Sequence, residues 1–197
     1  MDRYSERQRQ IIHAAIELIS EHGIQALTTK KLARKLDLSE GAIYRHFGSK
    51  DEILEGIIRT LEKMKLDAAR SVDNNEDQDP LEKIEDFFMS CLQNLSDNPT
   101  VAAVAFAEEI FRYDSRLSEK VFGIISETQA IMKKIISEGQ NKGLIKKDLS
   151  SDNIAIIVTG AMRMIVTQWR LSSYSFDLCK KGESVLENIF NLIKTKN

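Results

Sequence analysis

The chain has 197 residues, 42% of them hydrophobic, which suits one or two small domains with a proper core. It holds only two prolines and nine glycines, the residues that interrupt helices, so the composition favours an almost wholly helical protein. The formal net charge of −2 conceals an asymmetry, because residues 1–50 carry nine Lys and Arg against six Asp and Glu. A surplus of three positive charges is too small for tight nucleic-acid binding by charge alone.

Cysteine usage and hydropathy point to a protein without disulfides or membrane spans. Cys91 and Cys179 lie far apart, and no Cys-x-x-Cys motif is present. No cationic, apolar signal segment opens the chain, which predicts a cytoplasmic protein with two free thiols. The most apolar stretch, residues 154–166, is shorter than the ~20 residues that span a bilayer. We therefore expect a buried helix there and no membrane partner.

The first predicted helix covers residues 5–21 and ends at Gly23. A second, short helix over residues 29–36 places three apolar residues on one face and four cations on the other. After a break, Ser39 can accept a backbone N–H of a third helix over residues 40–47, and Gly48 suits a left-handed residue that ends it. Two short helices joined by a tight turn are typical of a DNA-reading helix-turn-helix.

The rest of the chain predicts six more helices. The fourth begins with a capping box of Ser49 and Glu52 and continues to about residue 72. Asp79-Pro80 begins a fifth that ends near residue 96, because Asp can cap it and Pro suits its first position. The others are predicted over residues 101–113, 115–141, 152–171 and 180–194. The sequence thus predicts an all-α fold of about nine helices.

On these residues the chain resembles the TetR family of bacterial and archaeal transcriptional regulators. The resemblance rests on the first helix ending at Gly23, on Leu27-Thr28-Thr29, and on Ala42-Ile43-Tyr44-Arg45-His46-Phe47 followed by Ser49-Lys50. It covers about the first quarter of the chain. It implies a helix-turn-helix DNA-binding domain over residues 1–50 and a helical ligand-binding and dimerisation domain over residues 51–197. The partners it implies are palindromic double-stranded operator DNA, a second copy of the chain and an unknown small-molecule effector.

The N-terminal residues of the third helix are the ones that can reach base edges in the major groove. Gly41 costs ~1 kcal/mol relative to Ala in a helix, which is explained if the backbone approaches DNA closely. A glycine that only tolerates a turn is the alternative. Ala42 is expected to touch a thymine methyl group, and Arg45 to pair with guanine or to neutralise a phosphate.

Phosphate contacts are expected beside this helix. Tyr44 follows the inward-facing Ile43, so its hydroxyl is expected to reach a phosphate rather than the core. Lys50 lies in a first helical turn, where the helix dipole disfavours a cation, and the resemblance implies a phosphate contact there. His46 is either a phosphate contact or a solvated histidine. The full predicted DNA-binding set is Thr29, Lys30, Ser39, Glu40, Gly41, Ala42, Tyr44, Arg45, His46 and Lys50.

Residues 51–197 contain no catalytic motif, so we expect no enzyme, no cofactor and no metal site. Large apolar side chains are candidates to line a ligand pocket, namely Phe88, Phe106, Phe111, Met162 and Trp169. Four arginines can hold an anionic end of a ligand or form ordinary salt bridges, namely Arg112, Arg116, Arg163 and Arg170. The expected function is repression relieved by a small hydrophobic or amphipathic molecule. One alternative is a DNA-binding dimer without an effector, and another is an enzyme whose site is assembled only in the fold. The sequence also leaves open whether the ligand releases or promotes DNA binding.

The last two predicted helices carry more apolar surface than one flank can bury. This surplus predicts a four-helix dimer interface formed with the same helices of a second copy. Its expected residues are Ile154, Ile157, Val158, Ala161, Ile165, Leu186, Ile189 and Phe190.

Overall fold

The computed structural model describes residues 4–195 of the chain, and the predicted all-α fold is confirmed. Within these residues there are nine α-helices, two short 3₁₀ helices and no β-strand. The helices are α1 Glu6–His22, α2 Thr29–Lys35, α3 Glu40–Tyr44, α4 Lys50–Asp73, α5 Pro80–Asp97, α6 Pro99–Ala105, α7 Ser115–Asn141, α8 Ser151–Leu171 and α9 Leu178–Ile193. The 3₁₀ helices are Ile24–Ala26 and Glu108–Phe111.

Side-chain caps set the starts of several helices. The Ser39 hydroxyl accepts the Ala42 N–H at the start of α3, as predicted. Asp79 accepts the Leu81 N–H and Pro80 occupies the first turn of α5, which was also predicted. At the start of α4 the Ser49 hydroxyl accepts the Glu52 N–H, while the Glu52 carboxylate accepts the Gly48 N–H rather than that of Ser49.

Two local predictions in the first fifty residues were wrong. The third helix ends at Tyr44, and Arg45 and His46 form a turn before Phe47 instead of a last helical turn. Gly48 does not adopt the left-handed conformation. The positive φ of this region belongs instead to Asp37, at 53°, between α2 and α3. Asp tolerates that conformation better than most residues because its short side chain bonds locally.

The predicted helix over residues 101–113 was also wrong. The structure has α6 up to Ala105 and then a separate 3₁₀ helix, Glu108–Phe111. No glycine or proline lies between residues 101 and 113, so no local signal marks this break. Ile110 and Phe111 are buried, and we attribute the change of backbone to the packing of these two side chains.

The chain divides into two compact units. The first contains the described part of Met1–Leu61 together with Thr100–Val121, and the second contains Glu62–Pro99 with the described part of Phe122–Asn197. The division falls inside α4 and α7, so each of these two helices contributes to both units. In the first unit α1 packs against α2 and α2 packs against α3.

In the second unit α9 packs against both α5 and α8. The approach to α5 is close at Gly182, because a Cβ atom added there would lie 2.0 Å from Leu92 Cδ1. Backbone hydrogen bonds join the C-terminal residues to the connection between α7 and α8. Lys146 N–H donates to the Ile193 carbonyl over 2.9 Å, and Thr195 N–H donates to the Leu144 carbonyl over 3.1 Å.

Candidate nucleic-acid interface

Helices α2 and α3 form the helix-turn-helix that the sequence predicts. Thr28 caps α2 by accepting the Lys31 N–H, and Ser39 caps α3. The apolar residues Leu32, Ile43 and Phe47 are buried beneath the two helices. Packing of these side chains fixes the angle between α2 and α3, so the outer residues of both helices have defined positions.

Thr29 and Tyr44 lie next to each other, although fifteen residues separate them in the chain. The Thr29 hydroxyl donates to the Tyr44 hydroxyl oxygen over 3.3 Å. The Tyr44 side chain is 56% exposed, which agrees with the outward position predicted for it. With the Thr29 proton engaged, the Tyr44 O–H is the donor left at this place on the surface, and it is suited to a phosphate oxygen.

The first turn of α3 presents an exposed backbone. Glu40 and Gly41 are exposed, and a Cβ atom added at Gly41 would meet only the Ser39 hydroxyl, at 3.9 Å. No packing within the described chain therefore requires glycine at this position. Ala42 is only 7% exposed, because its methyl group belongs to the buried side of α3. This burial corrects the expectation that the Ala42 side chain reaches a thymine methyl group.

Arg45 and His46 follow the end of α3. Arg45 is exposed and caps the C-terminus of the helix through its backbone N–H. The His46 carbonyl accepts a hydrogen bond from the side-chain amide of Gln8 over 3.1 Å, which ties α1 to this turn. Gln8 was absent from the predicted site. Its role depends on a contact across 38 residues, so no local signal in the sequence shows it.

Lys50 is the first residue of α4 and is exposed. Lys30, in the first turn of α2, is exposed as well. Lys35 differs from these two lysines, because its ammonium group lies 3.0 Å from a Glu17 oxygen and 3.6 Å from a Glu21 oxygen. The bond to Glu17 raises the pKa of Lys35. Lys35 thus joins α2 to α1 rather than adding to the DNA-facing charge.

This geometry agrees with the comparisons to known proteins. The family model described as "Bacterial regulatory proteins, tetR family" matches residues 11–57, and the one described as "YsiA-like protein, C-terminal region" matches residues 50–193. The chain belongs to the TetR family. It is a DNA-binding transcriptional regulator with a helix-turn-helix at its N-terminal end.

Similar proteins cover almost the whole of this TetR-family chain. The fatty acid metabolism regulator protein of Bacillus subtilis (strain 168) is 27% identical over 197 residues, 100% of both chains. The nucleoid occlusion factor SlmA of Haemophilus influenzae (strain PittGG) is 26% identical over 179 residues, 87% of this chain and 82% of SlmA. The crystal structure of FadR from Bacillus subtilis in complex with stearoyl-CoA has a TM-score of 0.78 at 25% identity, covering 92% of this chain and 97% of FadR.

The candidate pocket residues of this TetR-family regulator fall in both compact units. Phe106 and Phe111 belong to the first unit, and Phe88, Met162 and Trp169 belong to the second. All except Phe106 are buried. The predicted pocket remains a prediction, since burial alone does not separate a pocket lining from ordinary core.

Two of the arginines considered as ligand contacts have neighbouring acidic partners. Arg112 pairs with Glu109 over 2.9 Å, and Arg116 pairs with Asp114 over 2.8 Å. The salt-bridge interpretation is therefore confirmed for both. The Arg112–Glu109 pair is exposed on both sides and contributes little to stability, so it does not by itself explain why arginine is present.

The predicted dimer residues differ in how far they are buried within their own chain. Ile154, Val158, Ile165, Leu186, Ile189 and Phe190 are buried within their own chain, Ala161 is partly buried, and Ile157 is 52% exposed. The six buried side chains belong to the interior of the second unit. Three further α8 residues are exposed and apolar like Ile157, namely Ile156, Met164 and Leu171.

Within residues 4–195 no group of three His, Cys, Asp or Glu is arranged to hold a metal ion. Cys91 is buried, and burial raises the pKa of its thiol to about 12. Of the described helices, α8 alone is long and apolar enough to cross a membrane by length and composition. Core helices of soluble proteins can have the same length and apolar composition. Seven α8 residues are buried inside this chain.

Proposed function

We propose that this TetR-family regulator is a cytoplasmic homodimeric repressor of palindromic operators, released from DNA by a long-chain acyl-CoA. The observation that carries the ligand class is the full-length similarity to the Bacillus subtilis fatty acid regulator. The solved FadR complex contains stearoyl-CoA, an amphipathic thioester of the class predicted here. In this proposal residues 1–50 form the DNA-binding head and residues 51–197 form the ligand-binding and dimerisation body.

The proposed DNA contacts divide into positioning and base reading. Thr29, Lys30, Ser39, Tyr44, His46 and Lys50 are proposed to bind phosphates through their polar groups. Glu40, Gly41 and Arg45 are proposed to face the base edges, with Ala42 removed from this group because its side chain is buried. Two heads are then expected to read half-sites roughly 34–36 Å apart or somewhat more, on one side of the duplex.

The proposed dimer contact is the exposed apolar side of α8. Ile156, Ile157 and Met164 are each more than half exposed, and Gly160 lies among them with no atom within 4 Å of an added Cβ. Residues three, four, seven and eight apart share one side of a helix, so these four lie together. An apolar side with a glycine at its centre favours close packing against the same helix of a second copy.

The proposed ligand site draws on the apolar residues of the body. Phe88, Met162 and Trp169 supply large buried surfaces in the second unit, and such surfaces suit an acyl chain. Helix α4, Lys50–Asp73, begins with the proposed phosphate contact Lys50 and contributes to both units. A ligand that binds one conformation of α4 more tightly than another therefore changes operator affinity, typically by about 5- to 150-fold.

The first prediction tests DNA and ligand binding together. An operator duplex is selected by the unmodified protein from random-sequence duplexes, and its affinity is measured by fluorescence anisotropy over a series of salt concentrations. Lys50→Ala is expected to weaken binding to all sequences and to flatten the salt dependence by about one phosphate contact. Arg45→Ala is expected instead to relax base preference, by ~1–3 kcal/mol for a bidentate contact.

Stearoyl-CoA, free CoA and stearate are then titrated into the complex. Release by stearoyl-CoA alone supports the proposed effector. Equal operator affinity with and without saturating, demonstrably bound stearoyl-CoA shows that the two sites are not coupled. Absence of acyl-CoA binding, with operator binding intact, favours the alternative of a DNA-binding dimer without this effector.

A further inference from the structure

Two polar contacts hold the beginning of α4 within the first unit. The Tyr113 hydroxyl donates to Asp51 Oδ1 over 2.8 Å, and the Lys120 ammonium group pairs with Glu55. Asp51 and Glu55 are four residues apart and therefore share one side of α4. Both contacts come from residues more than sixty positions further along the chain. They secure the helix at its first two turns, next to Lys50.

Tyr113 is itself held in place on both sides. The preceding 3₁₀ helix, Glu108–Phe111, is anchored by the buried side chains of Ile110 and Phe111. The following residue, Asp114, accepts the backbone N–H groups of Arg116 and Leu117 at the start of α7. The Arg116 guanidinium group also bonds to Asp114 and holds the pKa of that carboxyl below its usual value. The backbone around Tyr113 is therefore fixed before its hydroxyl reaches α4.

The Tyr113 contact is a hydrogen bond from a phenol to a carboxylate oxygen. Burial, followed by the bond to Asp51, raises the pKa of the Tyr113 phenol above its ordinary value. The hydroxyl therefore keeps its proton as a donor, and Asp51 is the acceptor. Tyr113 as a whole residue is 59% exposed, so its ring adds little burial to the core, and the burial that raises its pKa acts at the hydroxyl. The contact with Asp51 is the feature that gives this tyrosine a defined role.

We propose that Tyr113 is a positioning residue for DNA binding, which holds the first turn of α4, and with it Lys50, through its hydrogen bond to Asp51. The proposal rests on the proposed phosphate contact of Lys50. Tyr113 acts through Asp51 and touches no DNA itself. When the hydroxyl is removed, the first turn of α4 gains freedom, and ordering Lys50 on the phosphate then costs binding free energy.

The test is a double-mutant cycle on the full-length protein, with the selected operator duplex as probe. Tyr113→Phe removes only the hydroxyl and is expected to weaken operator binding about 3- to 10-fold. Its effect is expected to disappear in an Asp51→Ala background, where no acceptor remains, and to persist in an Asp51→Asn background, whose side-chain oxygen still accepts. Comparison of the Asp51→Ala and Asp51→Asn backgrounds separates the effect of losing the hydrogen bond from the effect of removing a negative charge beside the DNA.

Tyr174→Phe is the matched control. It makes the same chemical change at an exposed tyrosine of the second unit and is expected to leave operator affinity unchanged. Thermal unfolding of each variant shows whether a loss of folded protein accounts for weaker binding. A melting temperature equal to that of the unmodified protein, together with weaker operator binding, supports the positioning role.

Three results overturn the proposal, and they can be told apart. If Lys50→Ala weakens binding and Tyr113→Phe does not, the positioning role is wrong and the proposed phosphate contact stands. If Lys50→Ala leaves affinity and salt dependence unchanged, the phosphate contact is wrong, and the inference about Tyr113 falls with it. An equal loss for Tyr113→Phe in the Asp51 and Asp51→Ala backgrounds also overturns the role assigned to the hydrogen bond.

Discussion

At the residue scale, the proposed DNA surface depends on groups whose positions are fixed by unlike means. Tyr44 accepts a hydrogen bond from the Thr29 hydroxyl. Arg45 follows the last residue of α3, and Lys50 is the first residue of α4. Gly41 differs from all of them because its contribution is the absence of a side chain. Its surroundings within the chain are open, so any steric requirement for glycine comes from a binding partner.

Gly41→Ala is therefore expected to have opposite effects on folding and on function. The free energy of unfolding should rise by about 0.5–1 kcal/mol, because alanine loses less backbone entropy in a helix than glycine. Operator affinity should fall by about tenfold or more, since a methyl group at the groove would move several contacts at once. Chemical denaturation and anisotropy titration measure the two quantities.

Gly123→Ala on α7 is the control for this prediction, because its surroundings are also open within the chain. It should stabilise the protein without changing operator affinity. Unchanged DNA binding by Gly41→Ala would favour the simpler interpretation that Gly41 only tolerates its turn.

At the element scale, the second unit depends on how closely α9 approaches its neighbours. Gly182 lies on the buried side of α9, where an added Cβ would be 2.0 Å from Leu92 Cδ1 and 3.4 Å from Phe88 Cε1. A comparable approach occurs in the first unit at Gly56 of α4, whose added Cβ would lie 2.6 Å from Ile12 Cδ1. In both places a glycine inside a helix allows two helices to pack more closely than alanine would.

Gly182→Ala is expected to destabilise the protein, although alanine is the better helix former. The added methyl group would overlap with Leu92, and overpacking of this kind typically costs about 1–3 kcal/mol. This exceeds the gain of at most about 1 kcal/mol in helix propensity. Urea denaturation of Gly182→Ala measures the net change in the free energy of unfolding.

The double variant Gly182→Ala with Leu92→Ala supplies space for the new methyl group. The two substitutions should therefore be less destabilising together than the sum of their separate effects. If the two destabilising effects add strictly, the contact between residue 182 and Leu92 is not the cause of the destabilisation by Gly182→Ala.

At the scale of the whole molecule, the exposed apolar side of α8 is the feature that a single chain leaves unexplained. Ile157 and Met164 are 52% and 58% exposed, although α8 buries seven other residues within its own chain. Isolated exposed apolar residues are common, but several on one side of a helix mark an interaction surface. In the proposed symmetric dimer a second copy of the chain covers this surface, and the proposed palindromic operator requires two heads.

Ile157→Glu is expected to convert the proposed dimer into monomers. It places a carboxylate on each side of the proposed contact, and burying an unpaired charge costs about 3–5 kcal/mol, which raises the dimer dissociation constant at least about 100-fold. Sedimentation velocity at micromolar concentration measures the change. The control is Leu149→Glu in the connection between α7 and α8, which should remain dimeric. A dimer that survives Ile157→Glu places the contact elsewhere.

Sequence alone determined the helical fold class, the helix-turn-helix and the caps at Ser39 and Asp79, because these depend on composition, periodicity and hydrogen bonds between near neighbours. Tertiary structure decided the break after α6, which no glycine or proline marks, and the burial of Ala42. It also decided the pairing of Tyr113 with Asp51, 62 residues apart. Local signals act over a few residues of chain, whereas burial and contact between distant residues arise only when helices pack, and packing depends on every helix at once.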